Sequence, residues 1–141
     1  MITAAASAAR GTETRILAIT VLTSFDLAAL QLIAMTGGVE ANVLRLARMA
    51  AEAGADGVVA SPHEARSLRA ERGADFLIVT PGIRPAGAAL GDQSRAAGPG
   101  EALAAGADYL VVGRPITAAA DPAAAARAIV FEMEAAAAAR R

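Results

Sequence analysis

Four short apolar runs punctuate the chain: Ile16 to Thr23, Gly57 to Ser61, Phe76 to Thr80 and Tyr109 to Gly113, each closed by turn or loop residues. They are continuous rather than alternating, which predicts strands buried on both faces, as in a parallel sheet. Three of them share one lead-in, Gly54-Ala55-Asp56, Gly73-Ala74-Asp75 and Gly106-Ala107-Asp108. A glycine that takes the left-handed conformation ends a helix, and a short polar link then feeds the strand. The repetition marks an αβ unit used several times.

Between the runs the period becomes helical. Glu40 to Ala53 carries Val43, Leu44, Ala47 and Ala51 on one side, Pro62 to Arg72 carries Ala65 and Leu68, and Pro99 to Ala105 follows. Asp121-Pro122 opens a last helix that runs through Ile129 and Met133 into an alanine-rich tail. Asp26 to Met35 predicts a short extra helix ended by Gly37-Gly38, with Ser24 as its expected cap. Met1 to Arg10 lacks the apolar core and cleavage signature of a leader, so a truncated surface helix is expected there. A helix followed by four βα units is an α/β arrangement that matches the C-terminal half of a TIM (β/α)8 barrel. A flavodoxin-like sheet is the alternative, because local pattern does not say whether the sheet curls. With 141 residues against the roughly 250 of a complete barrel, the expectation is one partial barrel domain over 1–141.

Composition changes this picture in three ways. Hydrophobic residues make up 55% of the chain, but alanine alone fills 41 positions and buries little area, so the core is thin. The net charge of −1, with dispersed arginines, argues against nucleic acid or a membrane surface as main partner and leaves room for one small anion. No apolar run approaches the roughly 18 residues of a membrane span. The absence of cysteine excludes disulfides and thiolate chemistry and fits a reducing, cytoplasmic setting. All thirteen basic residues are arginine. A mechanism that needs an ammonium side chain is closed to this polypeptide alone.

The chemistry gathers behind the last two apolar runs. Val79-Thr80-Pro81-Gly82-Ile83-Arg84-Pro85, Gly91-Asp92-Gln93 and Val111-Val112-Gly113-Arg114-Pro115-Ile116-Thr117 place two arginines, a glutamine and several glycines where barrel enzymes build phosphate sites. A planar guanidinium fork suits phosphate, and glycine lets the backbone approach it. Arg114 reads as a phosphate ligand or an ordinary surface charge, and Arg84 as a ligand or an ion-pair partner of Asp92. Gln93 is a ligand or a solvated loop amide; Thr23, ending the first strand, is a substrate hydroxyl or a cap. His63 has no second histidine at metal spacing and reads as a surface or capping residue, with no metal site expected. Asp56, Asp75 and Asp108 fall at the stability end of the strands and read as structural.

At these residues the chain closely resembles the orotidine 5′-phosphate decarboxylase family, which makes uridine monophosphate from orotidine monophosphate. The match runs from Ile16 to about Ala126. It includes Ala18-Ile19-Thr20-Val21-Leu22-Thr23-Ser24, Asp56-Gly57-Val58-Val59-Ala60-Ser61, the Thr-Pro-Gly-Ile-Arg-Pro run, Gly91-Asp92-Gln93 and the Gly-Arg-Pro-Ile-Thr run with Asp121-Pro122 behind it. Several spaced motifs in order make a strong signal. The resemblance implies that Thr23 hydrogen-bonds the pyrimidine. It also implies that Arg84 and Gln93 lie in the loop closing over the nucleotide, and that Gly113 and Arg114 make the final phosphate contacts, one by backbone N–H and one by guanidinium.

Two departures stand beside it. Gly98-Pro99 replaces the family's usual Thr-Pro ahead of a helix, a mild loss because glycine is a tolerable cap. The family's Asp-x-Lys-x-x-Asp array, whose lysine protonates the carbon left by carbon dioxide, has no counterpart in a chain without lysine. The resemblance therefore implies a carboxy-lyase portion that carries nucleotide-binding loops but no catalytic residue, is inactive alone and needs no cofactor. A second copy or a partner chain would complete the barrel. A non-catalytic phosphate-binding half-barrel and a related phosphosugar lyase are the alternatives.

Overall fold

Residues 1–85, 91 and 94–138 are described by the computed structural model of the chain. Helix α1 (Ile2–Ala9) precedes β1 (Leu17–Ile19), α2 (Leu27–Leu32), α3 (Val39–Glu52), β2 (Gly57–Val59), α4 (Pro62–Arg72) and β3 (Leu77–Thr80). Helix α5 (Pro99–Ala105), β4 (Tyr109–Leu110), α6 (Arg114–Thr117) and α7 (Pro122–Ala138) complete the order.

The Gly-Ala-Asp lead-ins work as the sequence predicts, and their aspartates do more than link. Gly54, Gly73 and Gly106 all have positive φ, at 92°, 77° and 112°, as the chain leaves α3, α4 and α5. Beyond them, Asp56 accepts the backbone N–H of Ile16 at 2.7 Å, and Asp108 accepts that of Ile78 at 2.8 Å. Each carboxylate thus reaches across to the chain of the preceding strand in the sheet. Arg15 pairs with Asp56 at 3.1 Å. Arg69 pairs with Asp108 at 2.6 Å and donates to the carbonyls of Gly73, Ala74, Phe76 and Gly106, gathering the ends of α4 and α5.

The four strands are all parallel and lie in the order β1-β2-β3-β4, with Ala18 opposite Val58, Val58 opposite Ile78, and Val79 opposite Tyr109. Sequential order is that of a barrel wall, whereas a flavodoxin-like sheet places its first strand between the second and third. The alternative fold is overturned on that ground. Ala18, Val58 and Ile78 point into one core with Val43 and Ala47 of α3 and Ala65 and Leu68 of α4. A smaller cluster of Ile83, Ala102 and Ala107 sits under α5.

The expectation of burial on both faces holds for β3, where Ile78, Val79 and Thr80 are all buried, and fails at the outer strands. Leu17 and Ile19 of β1, Tyr109 of β4 and Val111 just past it are exposed, Ile19 at 68% and Tyr109 at 60%, although Val79 between them is buried. The core helices pack against the other face, and among the described residues the β1 and β4 sides of this one stay open. Other departures are local. Asp26, not Ser24, caps α2, accepting the N–H of Ala29 at 2.9 Å. That helix ends at Leu32, and Gly38 opens α3 instead of closing α2. Helices α4 and α5 match their expected bounds, because Ser61-Pro62 and Gly98-Pro99 are clear starts and Gly73 and Gly106 clear stops. At the head of α5 the missing hydroxyl is offset by Glu101, whose carboxylate accepts the Gly98 N–H at 2.9 Å.

Candidate functional site at the strand ends

The carboxyl ends of the strands open into loops that carry four of the expected site residues, Thr23, Arg84, Gly113 and Arg114. After β1, the N–H of Phe25 donates to the carbonyl of Leu22 at 2.9 Å, closing a turn with Thr23 and Ser24 at its centre. Thr23 is half-buried there. After β3, Ile83 bridges Ala97 in parallel fashion, and Arg84 donates its N–H to the Ala97 carbonyl at 2.9 Å. The Arg84 guanidinium folds back on the carbonyl of Ile83 at 2.8 Å.

After β4 the chain passes directly into α6, which the sequence did not predict as a helix. Gly113 is its N-cap, and its carbonyl accepts the N–H groups of Ile116 and Thr117 at 2.9 and 3.0 Å. Gly113 and Arg114 are both exposed.

Gly91 and residues 94–98 touch three of these residues in turn. Gly91 has φ 63°, and a β-carbon placed on it would stand 2.8 Å from Nη1 of Arg114. The Arg114 side chain therefore lies against a glycine that has both the backbone freedom and the space to receive it. Further on, Ser94 Oγ donates to the carbonyl of Thr23 at 3.2 Å. At the end, Ala97 holds Arg84. Of the five residues expected to meet nucleotide, Thr23, Arg84 and Arg114 are each touched by Gly91 or residues 94–98, and Gly113 adjoins Arg114. Gln93 lies outside the described residues.

Sequence reasoning missed Arg95. Its side chain, 9% exposed, pairs with the 6%-exposed carboxylate of Glu64 on α4 at 2.6 Å. It also donates to the carbonyls of Phe25, Leu22 and Val21 at 3.0, 2.8 and 3.3 Å. No spacing rule links positions 64 and 95, so only the folded chain reveals the pair. His63 lies in the first turn of α4, where Ser61 is the cap: the His63 backbone N–H donates to Ser61 Oγ at 3.2 Å, and its Nε2 lies 3.2 Å from the Ala96 carbonyl. Among the described residues, no three His, Asp or Glu side chains converge as metal ligands, and no helix is long and apolar enough to cross a membrane.

This arrangement of loops at the carboxyl ends of sequential parallel strands agrees with a family match. The model of the orotidine 5′-phosphate decarboxylase / HUMPS family matches residues 1–129. The chain belongs to this family. It is 58% identical over 106 residues to the orotidine 5′-phosphate decarboxylase of Anaeromyxobacter sp. (strain K), covering 75% of this chain and 47% of the relative. Identity is again 58% over 120 residues with the enzyme of that name from Halorhodospira halophila, 84% of this chain and 51% of the relative. The chain spans about half the length of the curated relatives it matches. In structure it is similar to orotidine 5′-phosphate decarboxylase from Lactobacillus acidophilus, with a TM-score of 0.76, 40% identity, and coverage of 94% of this chain and 58% of that one.

Proposed function

We propose that this chain forms the nucleotide-gripping half-barrel of an orotidine 5′-phosphate decarboxylase, one domain over residues 1–141. The carrying observation is the convergence of Thr23, Arg84 and Arg114 on Gly91 and residues 94–98. In this reading Arg114 and the Gly113 N–H take the phosphate of orotidine monophosphate, Arg84 and Gln93 close over it, and Thr23 hydrogen-bonds the pyrimidine. Phosphate contacts remote from the reacting carbon then supply binding energy that is expressed in the transition state. No cofactor takes part.

Decarboxylation leaves a carbanion that must receive a proton, and this chain has no lysine to deliver it. The proton donor comes from a second polypeptide segment seated on the open face of the sheet, so the 141-residue chain alone turns over no substrate. The same open face provides the surface on which that segment, or a second copy of the chain, completes a barrel.

Titration with uridine monophosphate and with uridine tests the reading. Saturable binding of the nucleotide, at least tenfold tighter than that of the nucleoside, supports it. Equal binding of the two, or tighter binding of a sugar phosphate lacking the base, overturns it in favour of another phosphate-handling barrel. Turnover of orotidine monophosphate by the rigorously purified chain overturns the claim that the proton donor lies elsewhere.

A further inference from the structure

Arg95 occupies the point where the loops behind three strands meet. Its guanidinium holds the Val21, Leu22 and Phe25 carbonyls behind β1 and the Glu64 carboxylate at the head of α4, behind β2. Its own backbone belongs to the segment behind β3. That backbone is pinned from the same side, because Ser61 Oγ donates to the Arg95 carbonyl at 3.1 Å and His63 Nε2 reaches the Ala96 carbonyl. A buried ion pair of this kind adds little net stability relative to apolar residues of the same shape, since both charges are desolvated. A guanidinium does, however, fix geometry: its donors lie in one plane, and here they are directed at carbonyls of the turn that carries Thr23.

We propose that Arg95 is a positioning residue for nucleotide binding, setting the turn of Thr23 on one side and Arg84, held at the Ala97 carbonyl, on the other through one buried guanidinium. The inference rests on the roles assigned above to Thr23 and Arg84. Arg95 touches no substrate in this account. Tension or slack at its side chain moves the two loops together, because Ser94, one residue earlier, is bonded to the Thr23 carbonyl and Ala97, two residues later, accepts the N–H of Arg84.

Two measurements test this. In the first, Arg95→Lys, which keeps a charge opposite Glu64 but cannot span the three carbonyls, is expected to weaken uridine monophosphate binding at least tenfold while the cooperative unfolding transition is retained. Thr23→Val, costly in the parent, is expected to cost less than twofold in the Arg95→Lys background. Full multiplication of the two losses overturns the proposal.

The second needs no nucleotide, so it stands even where the proposed function fails for lack of binding by the parent chain. Amide hydrogen exchange is expected to quicken at least fivefold in Arg95→Lys at both Phe25 and Arg84, whose N–H bonds close the two loops, with Val58 and Ile78 unchanged. Glu64→Gln, which loosens the guanidinium without altering Arg95, is expected to give the same paired response and serves if Arg95→Lys does not fold. A change at one loop only, no change at either, or an equal rise across the sheet overturns it.

Discussion

The guanidinium of Arg114 lies against the α-carbon of Gly91, close enough that a methyl group there would stand 2.8 Å from Nη1. The two residues come from loops behind different strands, and their contact closes the rim on the β4 side. With φ at 63°, Gly91 also holds a conformation that costs other residues about 1 kcal/mol or more.

Gly91→Ala is therefore expected to displace the Arg114 side chain and weaken uridine monophosphate binding by about one decade, while uridine binding changes little. Arg114→Ala removes a charge-assisted contact and is expected to cost about 1.5 to 3 kcal/mol, one to two decades. Calorimetric titration of both ligands against both variants checks the pair. Equal affinity of Arg114→Ala and the parent for the nucleotide would show that the phosphate sits elsewhere.

Asp56 supplies an acid-sensitive contribution to stability. The Ile16 N–H, then the Arg15 guanidinium, hold its carboxyl below the usual carboxylate range. A carboxylate with a lower pKa folded than unfolded stabilises the fold above the unfolded value, and that contribution is lost as pH falls through the folded one. Urea midpoints are thus expected to drop for the parent as pH falls below the ordinary aspartate range, and to drop less steeply for Asp56→Asn. Parallel acid limbs for the two proteins would remove Asp56 from the account.

Gly57 is packed where no side chain fits. A β-carbon on it would stand 2.2 Å from the carbonyl oxygen of Leu77, its register partner in β3. Because the obstacle is backbone, Gly57→Ala is expected to spread β2 from β3 and destabilise by about 1 to 3 kcal/mol. Denaturant unfolding reads this directly, and a change within about 0.5 kcal/mol would contradict the close strand approach.

The open sheet face makes association the expected behaviour of the chain by itself. Leu17, Ile19, Tyr109 and Val111 present apolar surface beside the outer edges of β1 and β4, which no described strand pairs, a combination that drives pairing with another chain. Light scattering is expected to show mass rising with concentration, together with binding of a dye for exposed apolar surface, and Ile19→Ser is expected to reduce both. A compact monomer at high concentration that binds no dye would mean that the face is covered.

Much of this was legible before the fold was known, and the reason is punctuation. Ser61-Pro62, Gly98-Pro99, Gly73 and Gly106 are strong local signals, so α4 and α5 could be bounded and the strands between them located. The loops of Arg84 and Arg114 could be singled out because glycines and arginines behind apolar runs suit an anion, whereas Thr23 stood out only through the family resemblance. One-sided burial was not legible: a continuous apolar run looks the same whether its second face meets helices or, as for Ile19, nothing in the described chain. Arg95 was invisible for a different reason. Its partners Glu64, Val21, Leu22 and Phe25 are distant in sequence, and a loop arginine gives no local sign that it will be buried.

The aspartates that open β2 and β4 have a consequence for how this chain can change over time. Asp56 and Asp108 lock strand alignment from the end of the sheet opposite the loops that carry Thr23, Arg84 and Arg114. Alignment and the loops proposed to grip nucleotide therefore draw on separate sets of residues. New loop sequences can be tried at that end without unsettling the alignment of the strands that carry them, which makes the fold tolerant of experiment at one end and conservative at the other.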